Sequence, residues 1–179
     1  VVVTAQIAHA SYDLCATLHL RDLGASGTYT GVFWALGVVA EVLLMAQAGP
    51  VFARASARRL LVLGIAGATV RWALLASVTS LPVLLALQPL HALSFALVWL
   101  ACLAHLKEHV APHVAATAQG LFTTAVALGS VSGMLAWGPL YRARGGAVVF
   151  GAAALVSAVA LALALAFARR RAPEPARAR

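Results

Sequence analysis

Apolar runs long enough to cross a bilayer recur six times along this chain, near residues 1–20, 29–51, 59–78, 81–106, 114–139 and 146–168. The hydrocarbon core of a membrane takes about 20 apolar residues per helix. Six such runs in 179 residues leave room for little besides helices and short connections. A soluble domain of this size lacks the interior to hide them, since 63% of the residues are hydrophobic and a small fold keeps much of its chain near the surface. Only 10% are charged, against about 25% in soluble domains. A soluble enzyme, a disordered chain and a disulfide-stapled secreted domain are excluded. The expected fold is all-α: a polytopic membrane protein with six transmembrane helices.

The separators carry turn and charge signals: Arg21-Asp22 with Gly24 and Gly27, then Arg54, Arg58 and Arg59, then Ser80-Leu81-Pro82, then Lys107, Glu108 and Pro112, then Arg142 to Gly146. Connections this short make neighbouring helices antiparallel. Residues 1–168 form one bundle on this reading. Residues 169–179, with Pro173, Pro175 and five arginines, form a basic cytoplasmic tail. Cytoplasmic loops carry the excess of Lys and Arg. One side collects Arg54, Arg58, Arg59, Lys107, Arg169, Arg170, Arg171, Arg177 and Arg179, and the other only Arg21, Arg142 and Arg144. Both termini are therefore expected in the cytoplasm, and the protein in the cell inner membrane with lipid around it. The net charge of +8 is spent in these loops and the tail. No helix carries a basic stripe, so nucleic acid is not an expected partner.

Cys15 and Cys102 fall inside apolar runs and read as buried thiols, with no metal framework. Val1-Val2-Val3-Thr4 already lies inside an apolar run, and the chain is expected to be a fragment of a longer protein. No cofactor is expected.

A repeat is visible at short range. Gln6-Ile7-Ala8-His9-Ala10 opens the first run, and Gln88-Pro89-Leu90-His91-Ala92 lies early in the fourth. Gly31-Val32-Phe33 and Gly120-Leu121-Phe122 follow in the second and fifth. The first run points outward and the fourth inward, so the two triplets have opposite topology. Inverted three-helix repeats of this kind build many secondary transporters.

Asp13, Glu41 and Arg71 are charged residues inside apolar runs. Each costs about 2.5–3.5 kcal/mol at mid-membrane and so calls for a partner or a wet cavity. Counted at about 1.5 Å per residue from the outer ends of their helices, Glu41 lies roughly 18 Å deep, His91 roughly 15 Å and Arg71 about 10 Å. The reach of an Arg side chain covers the difference. Glu41, Arg71 and His91 are expected in one layer, with Glu41 taking and releasing a proton that the Arg71 charge controls. Gln6, His9 and Asp13, with Thr17, share one face of the first helix and are expected to line the substrate cavity, together with Gln88 on the fourth. Gly129 and Gly133 are spaced for close helix packing. The four tryptophans are expected mainly at the interface or against lipid. His105-Leu106-Lys107-Glu108-His109 spells the inverted zinc-peptidase motif. That chemistry needs a third ligand and a wet cleft, neither of which the sequence offers, and no metal is expected there.

These residues together resemble the C-terminal six-helix half of a major facilitator superfamily transporter, in the group of the phenylpropionate permease, the lactose permease and the nucleoside–proton symporters. The likeness is carried by Leu23-Gly24-Ala25-Ser26-Gly27, Leu36 to Glu41, Val70-Arg71-Trp72, Gln88 to Ala92 with Phe95, Ala118-Gln119-Gly120-Leu121 and Gly138-Pro139-Leu140-Tyr141. It covers nearly the whole chain up to Phe167. It implies half of a twelve-helix fold, alternating access and proton coupling, with an N-terminal six-helix half as partner. In the lactose permease a Glu, an Arg and a His on the second, third and fourth helices of this half serve the sugar and proton sites, and Glu41, Arg71 and His91 match them. That permease also has an acidic residue one turn past the His, where this chain has Ser94 and Phe95. Glu41 or Asp13 is left to carry the proton.

The expected function is secondary active transport, a proton symport of a small organic solute (aromatic acid, sugar or nucleoside), and not enzymatic catalysis. The alternatives are a membrane-embedded metal-dependent peptidase built on His105, Glu108 and His109, and a non-transporting six-helix membrane module.

Overall fold

The computed structural model describes residues 1–169. The expected basic tail lies outside the described residues from position 170 onward. Among the described residues the structure is helical throughout and contains no strand. Helix α1 spans Val2–Asp22, α2 Gly27–Ala46, α3 Ala48–Arg54, α4 Ala57–Ser77 and α5 Leu81–Ala86. A π-helical segment, Ala92–Leu97, leads into α6, Val98–His109. A 3-10 turn, Pro112–Val114, precedes α7, Ala115–Arg169.

Local chemistry places the turns. Gly24 takes φ 84° after α1, a left-handed conformation that favours glycine. Ser26 then caps α2 by accepting a hydrogen bond from the Tyr29 amide at 3.1 Å, which satisfies one of the free donors of the first turn. Helix α7 is broken at Gly145, with φ 75° and ψ 178°, and the chain reverses there. Before the break, Ser130 bonds Gln6 of α1, Trp137 donates to the Ile7 carbonyl and Tyr141 donates to Asp22. This part therefore runs parallel to α1. After the break, Phe150 stacks near Trp72, Ser157 bonds Thr69 and Phe167 meets Arg58, so this part runs antiparallel to α4.

Among the described residues three helices are long and apolar enough to cross a membrane by length and composition: Gly27–Ala46, Ala57–Ser77 and the continuous run Pro112–Arg169. Two of the six expected spans thus fall within one helical run, divided by Gly145. Helix α1 does not qualify, because Gln6, His9, Asp13, His19, Arg21 and Asp22 dilute its apolar surface. The expected fourth span is not one α-helix. Pro89 lacks an N–H and blocks regular α geometry around it. The chain answers with short-range bonds from the Gln88, Leu90, His91 and Ala92 amides to carbonyls three residues back, then widens into the π segment.

Two apolar clusters hold the helices together. One gathers Tyr12, Phe33, Trp72, Leu84, Trp137 and Phe150. The other gathers Leu60, Ile65, Leu97, Cys102 and Phe122. Trp72 and Trp137 are therefore core residues and not the lipid or interface anchors expected of them. Both thiols are buried. Gly129 and Gly133 seat α7 on α1: a methyl group at either would lie 2.7 Å from the carbonyl of Val3 or Ile7.

Candidate functional site

Arg71, in the second half of α4, is completely buried. A guanidinium carries five N–H donors and no acceptor, so its surroundings must offer lone pairs and ring faces. His91 Nδ1 lies 2.8 Å from Arg71 Nη1, and Ser94 Oγ accepts from the same nitrogen at 3.0 Å. Gln88 Oε1 accepts from Nη2 at 3.4 Å. The guanidinium carbon sits 4.1 Å from the centroid of the Tyr12 ring and 5.0 Å from that of Trp72, distances at which a ring face attracts a cation. Gln88, His91 and Ser94 reach this one side chain from the irregular stretch around Pro89 and Ala92.

The contact with Arg71 settles the tautomer of His91. Arg71 can only donate, so His91 Nδ1 must accept and its proton must sit on Nε2. His91 Nε2 in turn meets Glu41 Oε1 of α2. The three residues form a line, with His91 between the carboxylate and the guanidinium. Among the described residues no carboxylate lies within ion-pair distance of Arg71. His91 thus stands between Arg71 and Glu41, and the two charges are near each other without a direct ion pair. Gly37, one turn before Glu41, makes the approach possible: a Cβ there would lie 3.2 Å from both Gln88 Oε1 and His91 Cδ2.

The polar face of α1 divides. His9 is buried, its ring 5.6 Å from that of His91 and 5.2 Å from that of Phe95. Its Nε2 lies 3.6 Å from Asp13 Oδ1, one turn on, and Asp13 is partly exposed. Gln6 turns away and donates to Ser130 at 3.1 Å. Gln6 and His9 line a small cavity of about 30 Å³ with Ser94, Phe95 and Trp99, room enough for water. Gln88 lies off that cavity, tied to Arg71 and to the Tyr12 hydroxyl, which donates to its Oε1 at 3.0 Å. Thr17 accepts from Trp34 Nε1 at 3.0 Å.

The structure thus brings Glu41, Arg71, His91, Gln88 and His9 into one layer, sets Asp13 at its edge and leaves Gln6 outside. Sequence reasoning missed Tyr12 and Gly37. Tyr12 adjoins Asp13 but sits about 100° around the helix from it, so the stripe from Gln6 to Thr17 passed it by. With His9 and His91 neutral, the layer holds one cation and two carboxylates. Uptake of one proton makes it neutral. Among the described residues the one cluster of three His and carboxylate donors lies elsewhere, at the end of α6.

A protein of Escherichia coli (strain K12) described as a probable 3-phenylpropionic acid transporter is 36% identical over 101 residues. The matched stretch covers 56% of this chain and 27% of that relative's length. No solved structure gives a significant match. The profile of the MFS_1 like family matches residues 1–152, a stretch that contains every residue of the buried layer. Six motifs in order, a helical fold around a buried charged layer and this match agree: the chain belongs to the MFS_1 like family of major facilitator transporters.

Proposed function

We propose that this chain forms a six-helix half of a secondary active transporter in the inner membrane, with both termini and the basic tail cytoplasmic. Its helices would form two inverted three-helix repeats, with spans at the six apolar runs. A second six-helix half completes the cavity. The short match relative to the length of the E. coli relative supports a larger whole. So do the exposed apolar side chains of α2 and α7, among them Val42, Leu43, Leu121 and Leu135, which call for lipid or a second half as cover. The solute is a small organic molecule. The name of the relative and the rings of Tyr12, Trp34, Trp72 and Phe95 around the layer favour an aromatic carboxylate over a sugar or nucleoside.

The observation that carries the coupling is the line from Glu41 through His91 to Arg71. While Glu41 is ionised, the His91 N–H donates to a carboxylate, a hydrogen bond about twice as strong as one between neutral groups. Protonating Glu41 weakens that bond and frees α2 to move relative to α4 and the π segment. One proton per cycle is exchanged in this way between the two carrier states. Asp13, beside His9, is the other proton acceptor of the layer. No enzymatic step is proposed. The peptidase and the non-transporting module are not favoured, because the family and the relative are transporters.

The test is uptake by the whole protein carrying Glu41→Gln. Accumulation against a gradient should be lost, while exchange of external for internal solute survives. A variant that still accumulates solute would remove Glu41 from the coupling.

A further inference from the structure

The last turns of α6 hold a group of side chains that the transport layer does not use. His105, Glu108 and His109 stand at positions i, i+3 and i+4, which lie on one helix face. One donor atom from each lies within 4.8 Å of the other two. The two imidazole rings are 4.1 Å apart, and Glu108 Oε2 is 3.9 Å from His109 Nδ1. Peptidase chemistry needs a third ligand beyond the two His while Glu108 serves as base. Binding alone needs only donors, and Glu108 is the third.

Two further observations point to a ligand. His109 Nδ1 lies 3.0 Å from the His105 carbonyl oxygen. That contact requires the proton on Nδ1 and leaves the lone pair on Nε2. A metal-binding His is commonly held in this way, its other N–H donating to a backbone carbonyl. His105 Nδ1 is buried with no hydrogen-bond partner among the described residues, and the ring lines a cavity of about 230 Å³ that gives it space to turn.

We infer that His105, Glu108 and His109 bind one divalent first-row transition ion of the Zn²⁺ or Ni²⁺ type, with water in the remaining positions. At metal–ligand distances of about 2.0–2.2 Å in a tetrahedron, the donors must close to about 3.4 Å. Rotation of partly exposed side chains covers that distance. The donor set selects the ion. Two imidazoles suit Zn²⁺, Ni²⁺ and Cu²⁺, whereas Mg²⁺ and Ca²⁺ require oxygen ligands. Charge alone does not draw a cation here. Arg58 borders the cavity that His105 lines, its guanidinium 5.0 Å from the Phe167 centroid. The site binds by ligand type, at a helix end separate from the Arg71 layer. It does not rest on the transport reading, because binding is measured without uptake.

The whole protein, purified in detergent without a polyhistidine tag, is titrated with Zn²⁺ alone by calorimetry, and with Mg²⁺ for comparison. One Zn²⁺ per chain and no Mg²⁺ are expected. His105→Ala and His109→Ala should each bind at least about tenfold more weakly, since even outer-shell partners of a metal carry that much. Unchanged Zn²⁺ affinity in the double variant overturns the site. A second readout needs no variant: Zn²⁺ should protect His105 and His109, but not His113, from diethylpyrocarbonate. Equal modification of all three would overturn it as well.

Discussion

Tyr12 does two things at once. Its ring lies against the Arg71 guanidinium, and its hydroxyl donates to the Gln88 oxygen that Arg71 also uses. The two contributions separate by mutation. Tyr12→Phe keeps the ring and removes one buried hydrogen bond, worth about 0.5–1.5 kcal/mol. Tyr12→Leu also removes the ring face, worth roughly 2 kcal/mol more for a desolvated cation. Thermal unfolding in detergent should therefore rank wild type above Phe and Phe above Leu. Equal midpoints for the two variants would mean that the ring does not hold Arg71. At this scale the charged residues were legible from the chain, since any charge inside an apolar run declares itself. Their partners were not. Spacing along one helix says nothing about which ring of another helix lies beneath a guanidinium, and it could not place His91 between Glu41 and Arg71.

Helices α1 and α7 meet where glycine removes the side chains between them. Gly133→Ala would bring a methyl group to 2.7 Å from the Ile7 carbonyl and the Ala10 side chain. Overpacking of this kind costs about 1–3 kcal/mol. Gly138→Ala meets nothing nearer than 3.7 Å and should be almost neutral. A comparison of the two unfolding midpoints checks both. A larger loss at Gly138 than at Gly133 would contradict the packing described. The small-residue spacing in this helix was readable in advance, whereas Gly37, which serves the site, and Gly64, which seats α4 on the π segment, were not. Gly37 and Gly64 are needed only because particular neighbours, Gln88 and His91 for one and Leu93 and Val98 for the other, come close. The π segment was hidden for a related reason. Helical periodicity registers a stripe of apolar residues, and one widened turn inside such a stripe leaves the pattern almost unchanged.

Among the described residues of the whole molecule, Arg54, Arg58, Arg59 and Lys107 flank one set of helix connections and Arg21, Arg142 and Arg144 the other, and the topology proposed from the charge asymmetry is open to chemical labelling. Native Cys15 and Cys102 are buried, so they add little background, and the protein without the added cysteine serves as the control. A cysteine placed at Ala143, in the connection near Gly145, should react with a membrane-impermeant maleimide on intact cells. One placed at Ser56, before α4, should react only after lysis. The reverse pattern would invert the orientation. Membrane class, the positions of most turns and the presence of buried charges followed from the sequence by itself, because the bilayer penalises each polar residue locally and glycine and proline act on their own backbone. Only the tertiary structure decided that α7 doubles back at Gly145 along α4. It also decided that Gln6 leaves the layer for Ser130, that Trp72 and Trp137 face inward, and that an imidazole separates Glu41 from Arg71. Each of these depends on which helix faces stand opposite one another, and that choice is made by packing between segments far apart in the chain.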